Sequence, residues 1–252
     1  MLTLKGGTIM LRKAICRTVL GLAFTSLVLQ ANIVVVGNPP MLGTGNCDPF
    51  GCPGFFGLST YQQVYLSSAF PSEISIAGLT FYDGQVFNGG QPAGGTYSLS
   101  LSYTSLAPGN LNLSNPDDNV GSGSQGFFSG TLPPLTPQTG GSFLVIDGTP
   151  FVYNPADGNL LLTVTVSGGT NTGPALFLNE AACGPDTHCP PNSTVVSSDA
   201  YFGTTNGGND AGGLVTGFDY TPITTDTPEP SSVLLVMTGI GLLFYSRRRR
   251  AA

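Results

Sequence analysis

The chain has 252 residues, of which 36 are glycine, 20 are proline and only 9% are charged, a length that allows one domain of moderate size plus targeting segments. Forty per cent of the residues are hydrophobic. They fall in short patterned runs, which argues against a disordered chain and for an all-β domain with many turns. All eight basic residues lie near the ends, at Lys5, Arg12, Lys13, Arg17, Arg247, Arg248, Arg249 and Arg250, and the fourteen acidic residues all lie between those two groups. Leaving out Glu229, residues 32–227 hold thirteen acidic side chains, no Lys or Arg, and His188, a formal charge of −13. Such a surface has nothing to neutralise phosphates, which argues against nucleic-acid binding and against attraction to anionic lipid headgroups.

Residues 1–31 have the layout of a secretory signal peptide. Arg12, Lys13 and Arg17 form a positive n-region, and residues 18–29 form an apolar h-region. These features make the Sec translocon and signal peptidase the expected partners. Met10 is an alternative start. A cut after Ala31 fits, although Leu29 is large for the third position before it. Because Ile33, Val34, Val35 and Val36 extend the apolar run, an uncleaved N-terminal anchor is the competing reading.

Residues 32–57 are rich in Cys, Gly and Pro and contain Cys47 and Cys52. With Cys183 and Cys189 they make an even set of four, apart from Cys16 in the targeting segment. In an exported domain this set predicts two disulfides. Four cysteines allow three connectivities. The two local loops fit best, since each pair is close in sequence and flanked by Gly and Pro, against reduced thiols or a metal site.

Residues 58–221 show strand periodicity. Tyr97, Leu99, Leu101 and Tyr103 alternate with Ser98, Ser100 and Ser102, and Leu160, Leu162, Val164 and Val166 alternate with Leu161, Thr163 and Thr165. Ile74, Ile76, Leu79 and Phe81 change phase at Gly78, as a β-bulge produces. Further strands are expected over 60–66, 126–129, 143–146, 200–203 and 214–220. Turns are expected at Asp83-Gly84, Pro108-Gly109, Asn115-Pro116, Asp147-Gly148 and Asp157-Gly158. No stretch has helical periodicity. Eight or nine strands over this length predict an antiparallel β-sandwich ectodomain of jelly-roll or lectin-like kind.

Few residues offer chemistry. Gly121, Gly123 and Gly126 match a dinucleotide fingerprint formally but precede no helix, so they form a loop. Asp117 and Asp118, with Asn115 and Asn119, offer hard oxygen ligands for calcium, at a spacing unlike an EF-hand. Cys183, Asp186, His188 and Cys189 are irregularly spaced for zinc. A serine triad needs a histidine base, and the one histidine lies in that tight loop. Glu73 and Glu180 are the glutamates available for paired-carboxylate hydrolysis. With no Trp, sugar stacking falls to tyrosines such as Tyr61, Tyr65, Tyr82 and Tyr201.

Residues 222–252 form a linker and a second address. Pro228, Glu229 and Pro230 precede an expected transmembrane helix over about 232–246, and Arg247, Arg248, Arg249 and Arg250 follow it. The apolar part from 233 to 245 rises roughly 20 Å as a helix, short against a bilayer core of about 30 Å unless the arginines snorkel. Four arginines would hold that end in the cytoplasm as a stop-transfer signal, in agreement with a signal peptide that sends everything upstream outside.

This order of motif, short helix and basic tail resembles the PEP-CTERM sorting domain. The resemblance implies an exosortase that recognises Pro228, Glu229 and Pro230. The protein would be exported, held in the inner membrane before processing, and then placed in the cell envelope, at the cell surface or outside, in bacteria that make exopolysaccharide or biofilm matrix. The segment Pro150-Phe151-Val152-Tyr153-Asn154-Pro155 with Gly158-Asn159-Leu160-Leu161-Leu162 is similar to segments of PEP-CTERM and related choice-of-anchor exoproteins, and it implies a β-sandwich ectodomain. The expectation is a non-enzymatic structural or adhesive ectodomain without a cofactor. The alternatives are a lectin-like module that binds exopolysaccharide, with or without calcium, and a secreted hydrolase.

Overall fold

The computed structural model describes residues 32–37, 45–53, 58–84, 90–138, 141–170, 173–180, 197–203, 208–210 and 213–223. In chain order the strands are β1 (Asn32–Val36), β2 (Leu58–Tyr65), β3 (Ile74–Tyr82), β4 (Gly94–Thr104), β5 (Gln125–Gly130), β6 (Thr136–Gln138), β7 (Gly141–Tyr153), β8 (Asn159–Thr170), β9 (Ser197–Gly203), β10 (Gly208–Asp210) and β11 (Thr216–Pro222). They form two antiparallel sheets, one in the order β1-β11-β3-β7-β6 and one in the order β10-β9-β2-β8-β4-β5. The only helical turns among the described residues are single 3-10 turns at Ser67–Ala69, Pro116–Asn119 and Pro155–Asp157. The expected signal peptide over residues 1–31 and the expected membrane segment over 232–246 lie outside the described residues.

The alternation read in the sequence sets the inner faces. Tyr61 and Tyr65 of β2, Tyr97, Leu99 and Leu101 of β4, and Leu160, Leu162 and Val164 of β8 share one buried cluster with Ile74, Ile76, Leu79 and Phe81 of β3, Leu144 and Ile146 of β7, and Phe218 of β11. The two sheets thus pack face to face, and each fully buried side chain of this kind stabilises the fold by about 1.5–3 kcal/mol. Leu161 points the opposite way and is buried too. It joins Val64, Leu111, Ala200 and Phe202 in a second cluster on the outer face of the six-stranded sheet. That face is covered by chain, which is why three consecutive leucines fit in β8.

Two polar side chains hold this arrangement in register. Gln63, fully buried on β2, accepts from the Leu214 N–H (2.9 Å) and donates to the Leu214 carbonyl (2.8 Å), so an amide side chain replaces a strand neighbour there. The Tyr61 hydroxyl donates to the same Gln63 oxygen (2.6 Å). Gln62, on the other face, donates to the Pro116 carbonyl (2.9 Å) and accepts from Asn119 (2.8 Å), which fixes the loop that covers the outer cluster.

The phase slip at Gly78 is a bulge. Against β11, Ile76 and Gly78 pair with Tyr220 and Asp219, so Ala77 has no opposite residue. Against β7, the same two residues pair with Phe151 and Asp147, which gives β7 extra residues at that point. This corrects the turn expected at Asp147-Gly148. Both residues continue a thirteen-residue strand, and Gly148 is there because Phe127 of β5 lies against it. A Cβ at Gly148 would come within 2.5 Å of that ring.

Pro108-Gly109 forms the expected turn. The Asn110 N–H donates to the Ala107 carbonyl (3.0 Å), and Gly109 has φ +83°, the sign that the third position of a type II turn requires. Asn115 and Asn154 cap the 3-10 turns that follow them. Ile33–Val36, whose apolar run supported the competing anchor reading, forms most of β1. Val34 and Val36 face inward, and Asn32 pairs with Tyr220.

Candidate functional site

The loop between Cys47 and Cys52 is closed by their disulfide, as expected. Asp48 N–H donates to Asn46 Oδ1 (2.9 Å), and the N–H groups of Gly51 and Cys52 both donate to the Cys47 carbonyl (2.6 and 3.1 Å). The tight turn drives Phe50 between the sheets, where its ring meets Phe81 of one sheet (4.8 Å between centroids) and Tyr97 of the other (6.0 Å). Gly51 lies directly against the Leu176 backbone, so no side chain fits there. Among the described residues, Cys47, Asp48 and Cys52 are the one group of three potential metal ligands close together, but the two sulfurs are bonded to each other. Cys183 and Cys189, with Asp186 and His188, lie outside the described residues.

Asp117 and Asp118 are exposed in the 3-10 turn Pro116–Asn119. Asp118 accepts from Asn112 Nδ2 (2.9 Å) and Asn115 Nδ2 (3.0 Å), one on each carboxylate oxygen. Asn119 is buried and accepts from the Asn112 N–H (2.6 Å) while donating to Gln62 and to the Asn112 carbonyl. Amide donors, rather than further oxygens, therefore converge on Asp118, and the loop is organised as a cover for the sheet beneath it.

The other expected residues disperse. Tyr61 and Tyr65 are fully buried and cannot stack on a ligand, which corrects that expectation; the alternating face that made them attractive is the inner one. Tyr82 is half-buried on the outer face, and the Tyr201 side chain lies outside the described set. Glu73 precedes β3 beside the end of β11, whereas Glu180 bridges to Leu214 before its start. The length of β11 separates them, roughly 20 Å or more at 3.3 Å per residue, far beyond the spacing of about 5–10 Å that paired-carboxylate hydrolysis uses.

A carboxylate pair does form elsewhere. Asp147 and Asp219 flank Gly78 from the two neighbouring strands, and their oxygens lie 3.3 and 2.9 Å from where a Cβ on Gly78 would stand. Thr80 Oγ1–H donates to Asp219 Oδ2 (3.5 Å). Partial burial, and then the negative charge of Asp147, push the Asp219 carboxyl above its ordinary range, and the Thr80 hydrogen bond offsets part of that. Tyr82 lies across Gly217, packs edge-on against Phe143 (5.0 Å), and has its phenol raised by burial and by Asp219. The bulge at Gly78 was legible in the sequence, but the two aspartates it brings together were not, because that required strand order. A separate open depression of about 290 Å³ beside Pro92, Ala93, Leu132, Pro133 and Pro134 contains no ionisable side chain.

The final strand leads straight to the second address. β11 ends at Pro222, and the Ile223 N–H donates to the Glu73 carbonyl (3.1 Å). Pro228, Glu229, Pro230 and Arg247, Arg248, Arg249 and Arg250 lie outside the described residues, among which no helix is long and apolar enough to cross a membrane. Fold and sequence together define an acidic two-sheet β domain followed by a C-terminal sorting signal. That signal is a PEP-CTERM protein-sorting motif, whose family model matches residues 226–250. No curated protein and no solved structure matches the chain.

Proposed function

We propose that this protein is a non-enzymatic structural or adhesive component of the cell envelope or extracellular matrix, delivered by an exosortase. The observation that carries the reading is the sorting motif at 226–250, which implies exosortase-dependent sorting of an exported protein. The ectodomain fits an extracellular life. It has a disulfide-closed loop, no Lys or Arg between residues 18 and 246, and strands β1 to β4 that alternate between the two sheets, in the manner of jelly-roll and lectin-like sandwiches. The signal peptide delivers it through the Sec translocon and signal peptidase, and the helix over 232–246 holds it in the inner membrane until it is processed. The test is expression with and without the exosortase, followed by intact mass and membrane fractionation. A shortened product that depends on the enzyme is expected. An unchanged, full-length, membrane-bound product in both strains overturns the reading.

A second reading, a lectin-like module for exopolysaccharide, is favoured by the outer face of the five-stranded sheet. There Tyr82 and Phe143 offer apolar edges beside the carboxylates of Asp147 and Asp219, the mixture of ring faces and acceptors that sugars use. Glycan-array binding lost in Tyr82→Ala supports it, and loss on chelation adds calcium, for which Asp117 and Asp118 are the first substitutions to make. A blank array removes it.

A further inference from the structure

Strand register fixes where the chain leaves the folded domain. Asn32 faces Tyr220, Pro222 faces Ile74, and Ile74 faces Tyr153. The first residue after the expected signal cut and the last residue of the final strand therefore lie at one end of the five-stranded sheet. The 3-10 turn Pro155–Asp157 follows Tyr153 there after its cap Asn154, and Glu73 directly precedes Ile74. Among the described residues the carboxylates at this end are Glu73 and Asp157, and those residues include no Lys or Arg to offset them.

Between Ile223 and Pro228 stand four residues, Thr224, Thr225, Asp226 and Thr227. An extended chain advances at most about 3.6 Å per residue, so Pro228 lies within roughly 18 Å of Ile223. An enzyme whose cleft closes on Pro228-Glu229-Pro230 and on the few residues before them uses up that slack and meets the folded domain. We propose that this end, made by Glu73, Pro155–Asp157 and Ile223, is the surface on which the motif-reading enzyme docks, with the four-residue spacer as a ruler that seats one against the other. The proposal rests on the exosortase reading above and adds a contact to it. Charge complementarity sets the partner's chemistry: a rim bearing Lys or Arg fits this end, and an acidic rim is repelled.

The experiment uses the full chain in the exosortase-bearing strain, with pulse–chase of the processed product. Four forms are compared: the parent, Glu73→Lys with Asp157→Lys, a Gly/Ser insertion of about twelve residues after Ile223, and both changes together. Such an insertion adds roughly 20 Å of flexible reach. At the native spacer the charge reversal slows processing by about threefold or more, as rim charges do when they steer encounter. With the insertion the same reversal has no effect. Equal rates at the native spacer overturn the proposal. So does a slowdown that persists with the long spacer, since it acts through folding or export instead. A parent chain of unchanged mass removes the sorting reading and this one with it. A processed parent that is insensitive to both changes removes only this one.

Discussion

At the scale of single residues, the two sheets are joined by polar groups as well as apolar ones. Gln63 makes three buried hydrogen bonds, to Tyr61 and to both backbone groups of Leu214. Gln63→Leu keeps the volume but removes all three bonds, including those to both backbone groups of Leu214, and each buried group that loses its partner costs about 1–3 kcal/mol. The expected loss is about 3 kcal/mol or more in urea unfolding. A loss below about 1 kcal/mol would mean that Leu214 relaxes to other partners. Asp219 gives the opposite sign. Its carboxyl is raised in the folded state by burial and by Asp147, so the folded chain binds that proton more tightly than the unfolded chain does. The stability it contributes is fully present below the ordinary value of 3.8 and is lost as pH rises through the raised folded value. Asp219→Asn is therefore expected to raise the melting temperature at pH 7 and to flatten its dependence on pH above 4. A variant that melts lower at pH 7 would show that the charged group is wanted in the fold.

At the scale of elements, the disulfide loop acts as a plug rather than a tether. The sequence separation of five closes a loop small enough that loop-entropy loss accounts for about 2 kcal/mol, but the loop also holds Phe50 between Phe81 and Tyr97. Cys47→Ser with Cys52→Ser is expected to cost more than the loop term alone, about 3–5 kcal/mol once Phe50 packing loosens. Adding Phe50→Ala to that pair then costs less than it does in the parent, which a double-mutant cycle measures. This element also shows how far the sequence could be read. The local pairing of Cys47 with Cys52 was legible, because spacing and flanking Gly and Pro are local properties. The same holds for the rows in β3, β4 and β8 and for the bulge at Gly78, where period two and its phase slip are written in the chain. Insertion of Phe50 into the core was not legible, because nothing local says which sheet positions leave a gap. Ile33–Val36 left two readings open for a related reason: a short apolar run beside an expected signal peptide has the same composition whether it enters a membrane or a sheet. Asp147-Gly148 carried a turn signature, but its partners in β3 and β5 required an extended path. The sorting motif was legible as a whole, since Pro228, Glu229, Pro230, the apolar stretch and the arginines are contiguous.

At the scale of the molecule, the charge distribution leaves the exported domain without internal compensation. Thirteen acidic groups and no Lys or Arg lie between residues 32 and 227, so the fixed charges within it repel one another. Glu73, Asp83, Asp117, Asp118, Asp147, Asp157, Glu180 and Asp219 are partly or fully exposed, whereas Asp48 is buried, and the interaction between exposed charges falls off over about 10 Å at 0.1 M salt. Added salt therefore weakens repulsion in the compact state more than in the expanded unfolded chain, where the same charges are farther apart. A protein held by surface ion pairs loses stability in this titration; this domain is expected to gain it. Raising NaCl from about 10 mM to 0.5 M should stabilise by on the order of 1 kcal/mol, or about 2–4 °C in melting temperature for a chain of this size. Acidification through the raised titration of Asp219 should act in the same direction, since the folded chain holds that proton more tightly than the unfolded chain does. Asp219→Asn should remove that part of the acid response while leaving the response to salt in place. Calorimetry of parent and variant across both titrations separates the local pair from the global field. If the melting temperature falls with salt in both proteins, attractive electrostatics dominate, and the acidic surface is matched by partners that its own sequence between residues 32 and 227 does not provide.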